Sequence, residues 1–198
     1  MMDAHSFWMF SPAIVLWGLL AAAVWHDVRS RRIPNRLVFP GALLGLLINS
    51  LPLQVDGWLA PVAAPLGLPM ALAGFVVGLA LLLPLYALKA MGAGDVKLLA
   101  MVGAFLGPYP VAIVMLFSLL SGGVMAVIVA SWSGTLRRVT ANSYHLLLQS
   151  LMRGVAGDLP RIDAPALPSG KLPYALAIAT GTLIYLVLAA RGALGVFA

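Results

Sequence analysis

Two aspartates hold most of the chemistry open to this chain. Asp95 follows two glycines in Met91-Gly92-Ala93-Gly94-Asp95-Val96-Lys97-Leu98-Leu99, between two long apolar runs, and Asp27 stands at the end of the first apolar run. The acidic residues number 6, and none is a glutamate. A carboxylate at the edge of a hydrocarbon-compatible run is costly to keep, which makes it a candidate functional group. Two such groups brought together cannot both ionise easily: repulsion and partial desolvation raise one pKa, and the pair shares a proton near neutral pH. The ionised member can then draw a proton from a water that attacks a peptide carbonyl. The protonated member donates to that carbonyl or to the leaving nitrogen. This chemistry needs no metal and no cofactor, and none is expected. The chain has no cysteine, so thiolate zinc sites and a cysteine nucleophile are excluded from it.

The elements that must position the pair are apolar. The sequence is 62% hydrophobic and 9% charged with mean hydropathy +1.03, where soluble proteins carry about 25% charged residues. The apolar residues fall in long blocks, so lipid is the solvent for most of the chain. The reading is an all-α membrane protein of one domain, residues 1–198, with about six transmembrane helices. The spans are expected at 7–25, 37–53, 69–88, 96–106, 111–132 and 172–190. The fourth is short: it rises only ~18 Å against a hydrocarbon core of ~30 Å. Either it begins inside the glycine motif, or Gly107-Pro108-Tyr109-Pro110 turns before the far surface. Between the fifth and sixth spans, Tyr144, Leu147, Leu148, Leu151, Met152 and Val155 recur at helical spacing opposite His145, Gln149 and Arg153, which reads as an amphipathic helix on the membrane surface.

The net charge of +6 does not mark a nucleic-acid binder, because the basic residues lie in the short connections. Arg29, Arg31, Arg32, Arg36, Lys89, Lys97, Arg137, Arg138, Arg153, Arg161 and Lys171 fall on one side of a six-span topology and Arg191 on the other. The crowded side is cytoplasmic by the positive-inside bias. Both termini are then non-cytoplasmic, and Asp27 and Asp95 share the cytoplasmic face of an inner membrane. The first run has no basic residue ahead of it and Arg29, Arg31 and Arg32 behind it, which fits a retained helix rather than a cleaved signal.

Each residue also has a structural reading. Asp95 could cap the fourth span, and Asp27 could pair with a neighbouring arginine or stand in a solvated loop. Gly92 and Gly94 are expected to take backbone angles closed to other residues, and to let an extended substrate approach Asp95. Ile33-Pro34 is biased away from helix, so the first helix ends there. Lys97 either biases the local field or snorkels to the surface, and His26 reads as an interfacial residue.

These motifs resemble those of type IV prepilin peptidases. Asp27 with Arg29 and Ile33-Pro34-Asn35-Arg36 is similar to the family's first-aspartate motif. Gly92-Ala93-Gly94-Asp95-Val96-Lys97-Leu98 resembles its Gly-x-Gly-Asp motif. Lys171-Leu172-Pro173-Tyr174-Ala175-Leu176-Ala177-Ile178, with Gly181, resembles the start of its last helix. The resemblance implies a membrane aspartic endopeptidase that removes the short basic leader of a prepilin just before the pilin's hydrophobic helix. Asp27 and Asp95 would be the catalytic pair, with Gly92, Gly94, Lys97, Pro34 and Asn35 shaping the site or meeting substrate. Partners would be the prepilin, membrane lipid and the pilus assembly machinery. Long members carry an N-terminal portion with paired-cysteine zinc motifs linked to methylation of the new terminus. Asp27 here follows a single span and cysteine is absent, so methyltransferase activity is expected to be missing. The short form resembles the peptidases of tight-adherence, Flp-type pilus systems. The alternatives are a small transporter using both aspartates as a proton relay, and a non-catalytic assembly subunit.

Overall fold

A computed structural model describes residues 4–51, 66–88, 91–134 and 173–192, with side chains from Pro12 onward. Among the described residues the protein is all-α, with no strand. The helices are α1 (Ala4–Ser30), α2 (Asn35–Ser50), α3 (Leu68–Ala87), α4 (Ala93–Leu106), α5 (Pro108–Trp132) and α6 (Tyr174–Ala190). Each expected span thus has its helix. The amphipathic helix expected at 144–155, Lys89, and the basic residues from Arg137 to Lys171 lie outside the described residues.

The outward faces of these helices are apolar. Leu43, Leu47, Val76, Leu116, Leu120 and Val124 are all exposed, a pattern that would be a large sticky patch in water and is ordinary against lipid. Helices α3 and α5 are long and apolar enough to cross a membrane by length and composition. The fold is an all-α membrane bundle.

Helix α4 is its axis. Val96 and every residue from Leu98 to Leu106 are buried, and α4 touches each of the other five helices. Close approach comes from small residues, as expected where lipid offers no hydrophobic drive between helices. Gly74 and Gly78, one turn apart on α3, lie directly on the α4 backbone. A Cβ on Gly74 would collide with the Gly103 carbonyl oxygen, and one on Gly78 would stand 2.7 Å from that of Leu99. On α2, Gly41 and Gly45 make room for the Met101 and Phe105 side chains of α4. On α6, Gly181 lies against Ser118 of α5, and Ser121 donates to the Ala177 carbonyl (3.0 Å).

The expected brevity of α4 has two causes acting together. It begins inside the glycine motif, at Ala93, and it stops at Gly107, whose φ of 89° reverses the chain straight into α5. Its 14 residues rise ~21 Å, whereas the 25 of α5 rise ~37 Å.

Candidate active site

Helix α1 runs past the span end at Trp25 to Ser30, just short of the expected stop at Ile33-Pro34, so Asp27 lies in its last turn rather than in a loop. The helix closes when Arg31 takes the left-handed conformation (φ 54°), its N–H donating to the Asp27 carbonyl at 2.9 Å, a helix-ending bond usually left to glycine. The Asp27 side chain is turned inward and is 8% exposed. Its Oδ2 accepts from the Ala175 N–H at 3.1 Å. Ala175 is the second residue of α6, where backbone N–H groups have no partner within the helix and the helix dipole favours an anion. The described partner of Asp27 is therefore a helix N-terminus and not an arginine. Arg29, Arg31, Arg32 and Arg36 are exposed, and Arg29 lies over the Trp25 ring.

Asp95 is the third residue of α4, and Gly92 is the cap. Asp95 Oδ2 accepts from the Gly92 N–H (3.2 Å) while its own N–H donates to the Gly92 carbonyl (3.1 Å). That is the reaching-back half of a capping box. The two glycines do not take the backbone angles expected of them. Gly92 has φ −81° and ψ 150°, and neither it nor Gly94 is in the left-handed region. Their role is room: a Cβ on Gly92 would stand 3.3 Å from Asp95 Oδ2, and one on Gly94 would stand 3.1 Å from Ile33 Cβ.

That second contact brings the two aspartate motifs together. Pro34, extended at φ −72° and ψ 135°, starts α2. Asn35 follows, and its Oδ1 accepts from Lys97 Nζ at 3.0 Å. Lys97 Nζ also lies 5.3 Å from the centre of the Phe39 ring, a cation–π distance. Lys97 thus neither floats free nor snorkels; it ties the start of α4 to the start of α2. All seven residues singled out in the sequence, Asp27, Pro34, Asn35, Gly92, Gly94, Asp95 and Lys97, converge on one end of the bundle.

The electrostatics fit a shared proton. Asp95 precedes the apolar stretch of α4, and its pKa is pushed up from 3.8 to about 6. Burial is the main cause, the charge of Asp27 adds to it, and the Gly92 hydrogen bond opposes both. The carboxylates are near enough that the charge of Asp27 helps raise the pKa of Asp95. Such a pair can activate water and protonate a leaving group. Among the described residues no cluster of His, Asp or Glu could hold a metal ion.

Two contributors carried no role in the sequence reading: the Ala175 N–H and Tyr174. The available signal was Pro173, which sets an abrupt start for α6 and leaves the next N–H groups free for an acceptor from elsewhere in the chain.

A membrane bundle with paired carboxylates where three helix ends meet defines a class of intramembrane acid–base sites. The sequence comparisons place it further. Residues 14–127 match the type IV leader peptidase family, a span that includes both aspartates, and the chain belongs to that family. Over 129 residues, 61% of this chain, it is 36% identical to the prepilin leader peptidase/N-methyltransferase of Stutzerimonas stutzeri, covering 40% of that protein. Over 119 residues it is 34% identical to the protein of the same name from Pseudomonas putida, covering 37% of it. The chain therefore spans well under half the length of these relatives. No solved structure matches it.

Proposed function

We propose that this protein is an aspartic endopeptidase that cuts the short basic leader from a prepilin, using Asp27 and Asp95 to activate water. One observation carries the reading. Two acids far apart in sequence are folded to one end of the bundle, near enough that the charge of Asp27 helps hold a proton on Asp95. The relatives' names support the substrate class. In this reading Asp27, held by the α6 N-terminus, is the base, and Asp95 is the acid. The site lies on the cytoplasmic face of the inner membrane, the side to which the arginines of 29–36 assign it. A basic leader is drawn there by the anionic inner leaflet. Flp-type prepilins are the proposed substrates.

The relatives are also named N-methyltransferases. We keep methyl transfer out of the proposal, because the chain offers no cysteine for the zinc portion that accompanies it.

The test is cleavage of a co-expressed Flp-type prepilin in membranes, read by mobility shift and by product mass. Wild type is compared with Asp27→Asn and Asp95→Asn at matched expression. Cleavage by wild type alone, giving an unmethylated product, is the expected result. Intact precursor with well-expressed wild type would overturn the peptidase reading, and a methylated product would overturn the single-activity reading.

A further inference from the structure

We infer that the Tyr174 hydroxyl is a catalytic hydrogen-bond donor, meeting the carbonyl oxygen of the bond being cut while the two aspartates manage water and protons. The inference rests on the peptidase reading. It concerns a residue outside the span that matches the family.

Four observations lead to it. First, Tyr174 Oη is buried and has no hydrogen-bond partner, the one such side-chain atom among the described residues. A buried hydroxyl without a partner is costly to maintain, and folded proteins rarely keep one except where something else will use it.

Second, its position is at the pair. Tyr174 opens α6, and the next residue, Ala175, supplies the N–H that holds Asp27. The Tyr174 hydroxyl also lies within electrostatic reach of the Asp95 carboxylate. One residue thus adjoins both acids.

Third, the ring is held in place. Its Cε2 lies 3.0 Å from where a Gly122 Cβ would be, so the ring packs closely on α5 and an alanine there would ask it to shift by a few tenths of an ångström. Below it, Ser121 bonded to Ala177 and Gly181 lying against Ser118 fasten α6 to α5. A donor fixed before the substrate arrives needs no reorganisation when charge develops.

Fourth, several donors close to the two acids are already engaged. The Ala175 N–H bonds Asp27, the Gly92 N–H bonds Asp95, Lys97 Nζ bonds Asn35, and Ser30 Oγ bonds the His26 carbonyl. A substrate carbonyl entering this end meets in Tyr174 a buried side-chain donor that no group of the described chain occupies.

The chemistry balances simply. Asp27 takes one proton from the attacking water, and the carbonyl oxygen takes the proton of Asp95 as it becomes a hydroxyl of the tetrahedral intermediate. The phenol keeps its own proton throughout and donates a hydrogen bond to that oxygen while negative charge gathers on it.

The experiment is Tyr174→Phe in the full chain, which removes the oxygen and leaves the ring on Gly122. Steady-state prepilin cleavage and thermal unfolding are measured beside wild type and Asp95→Asn. The expected result is a fall in kcat of about 10–100-fold, with KM within about twofold and an equal or higher Tm, because an unpaired buried hydroxyl has been removed. Unchanged kcat would overturn the inference, and so would a fall in kcat accompanied by a lower Tm, which would assign the hydroxyl to the fold. As a second arm, Gly122→Ala displaces the ring while keeping the hydroxyl. It should lower kcat as well, with little added loss in the double mutant; full additivity would overturn the shared role. If wild type cleaves no prepilin while well expressed, the peptidase reading fails first, and the inference falls with it.

Discussion

At the end of the bundle away from the aspartates, Asn49 is buried at 5% exposure and fully engaged. Its amide nitrogen donates to the carbonyls of Gly45 (3.1 Å), Ala104 (2.9 Å) and Phe105 (3.1 Å), and its oxygen accepts from the Leu66 N–H (3.1 Å). One side chain there satisfies the last carbonyls of α4 and pins the segment entering α3. At the site end, Asp27 and Asp95 each have one backbone partner, and the Tyr174 hydroxyl has none. Both ends bury polar groups, which is expensive in either case. At the sealed end every bond is made within the chain and goes to stability. At the site end, bonding capacity is left for something that is not part of the chain. That contrast points to the reactive end without reference to any relative.

The largest expected effect tests the site end of this contrast. Asp95→Asn should lower cleavage by about 10²–10⁴-fold while making the fold more stable at neutral pH. The folded pKa of about 6 lies above the ordinary 3.8, so the folded chain keeps a proton that the unfolded chain has released. The stability linked to that proton is fully present below about 3.8 and is lost as pH rises to about 6. Asparagine stays neutral throughout, so the fall in Tm between about pH 4 and 6 should shrink in the variant. A lower Tm than wild type at pH 7 would move Asp95 to the structural side of the comparison. Asn49→Ala is the converse case. It should cost about 2–3 kcal/mol of stability, since several buried groups lose their partner, with kcat unchanged in the protein that remains folded. A specific loss of kcat would break the division between the two ends.

Smaller effects sharpen the picture within the site. Lys97→Met removes the tie between α4 and Asn35, and kcat/KM should fall about 5–10-fold through misplacement of Asp95. Asn35→Ala should fall by a similar factor and add little in the double mutant, whereas additive losses would mean separate roles. Gly94→Ala should cost about twofold, because the new methyl asks Ile33 to give way by a few tenths of an ångström. Gly94→Val should cost more, and equal activity in both would show the contact with Ile33 to be slack.

Much of this was legible because membrane sequences are written in blocks. The apolar runs located all six helices, and the two motifs located the acids at one end. What the sequence reading missed came from tertiary contacts. Helix α1 stops just short of Ile33-Pro34, as expected, but it closes on a left-handed Arg31, which no local pattern announces. The need for Gly92 and Gly94 is real, but it comes from the nearness of the Asp95 carboxylate and of Ile33, not from φ. The bond of Lys97 to Asn35 was not legible because Asn35 belongs to another helix. Tyr174 stood only as one letter of the last-helix motif, and the fold puts its hydroxyl within reach of Asp95 without a partner.

The one-residue turn at Gly107 sets α4 and α5 off from the same level with very different lengths. Fourteen residues against 25 leave the near end of α4 about 16 Å short of the tip of α5, for axes that run side by side. With such axes Asp95 lies below the level of the α5 tip. For a substrate that is polar up to one point and apolar beyond it, such a difference in level would work as a depth gauge. In the proposed function, the bond presented to the acids would be set by how far the substrate can sink before its charged part meets lipid, with little of its sequence read.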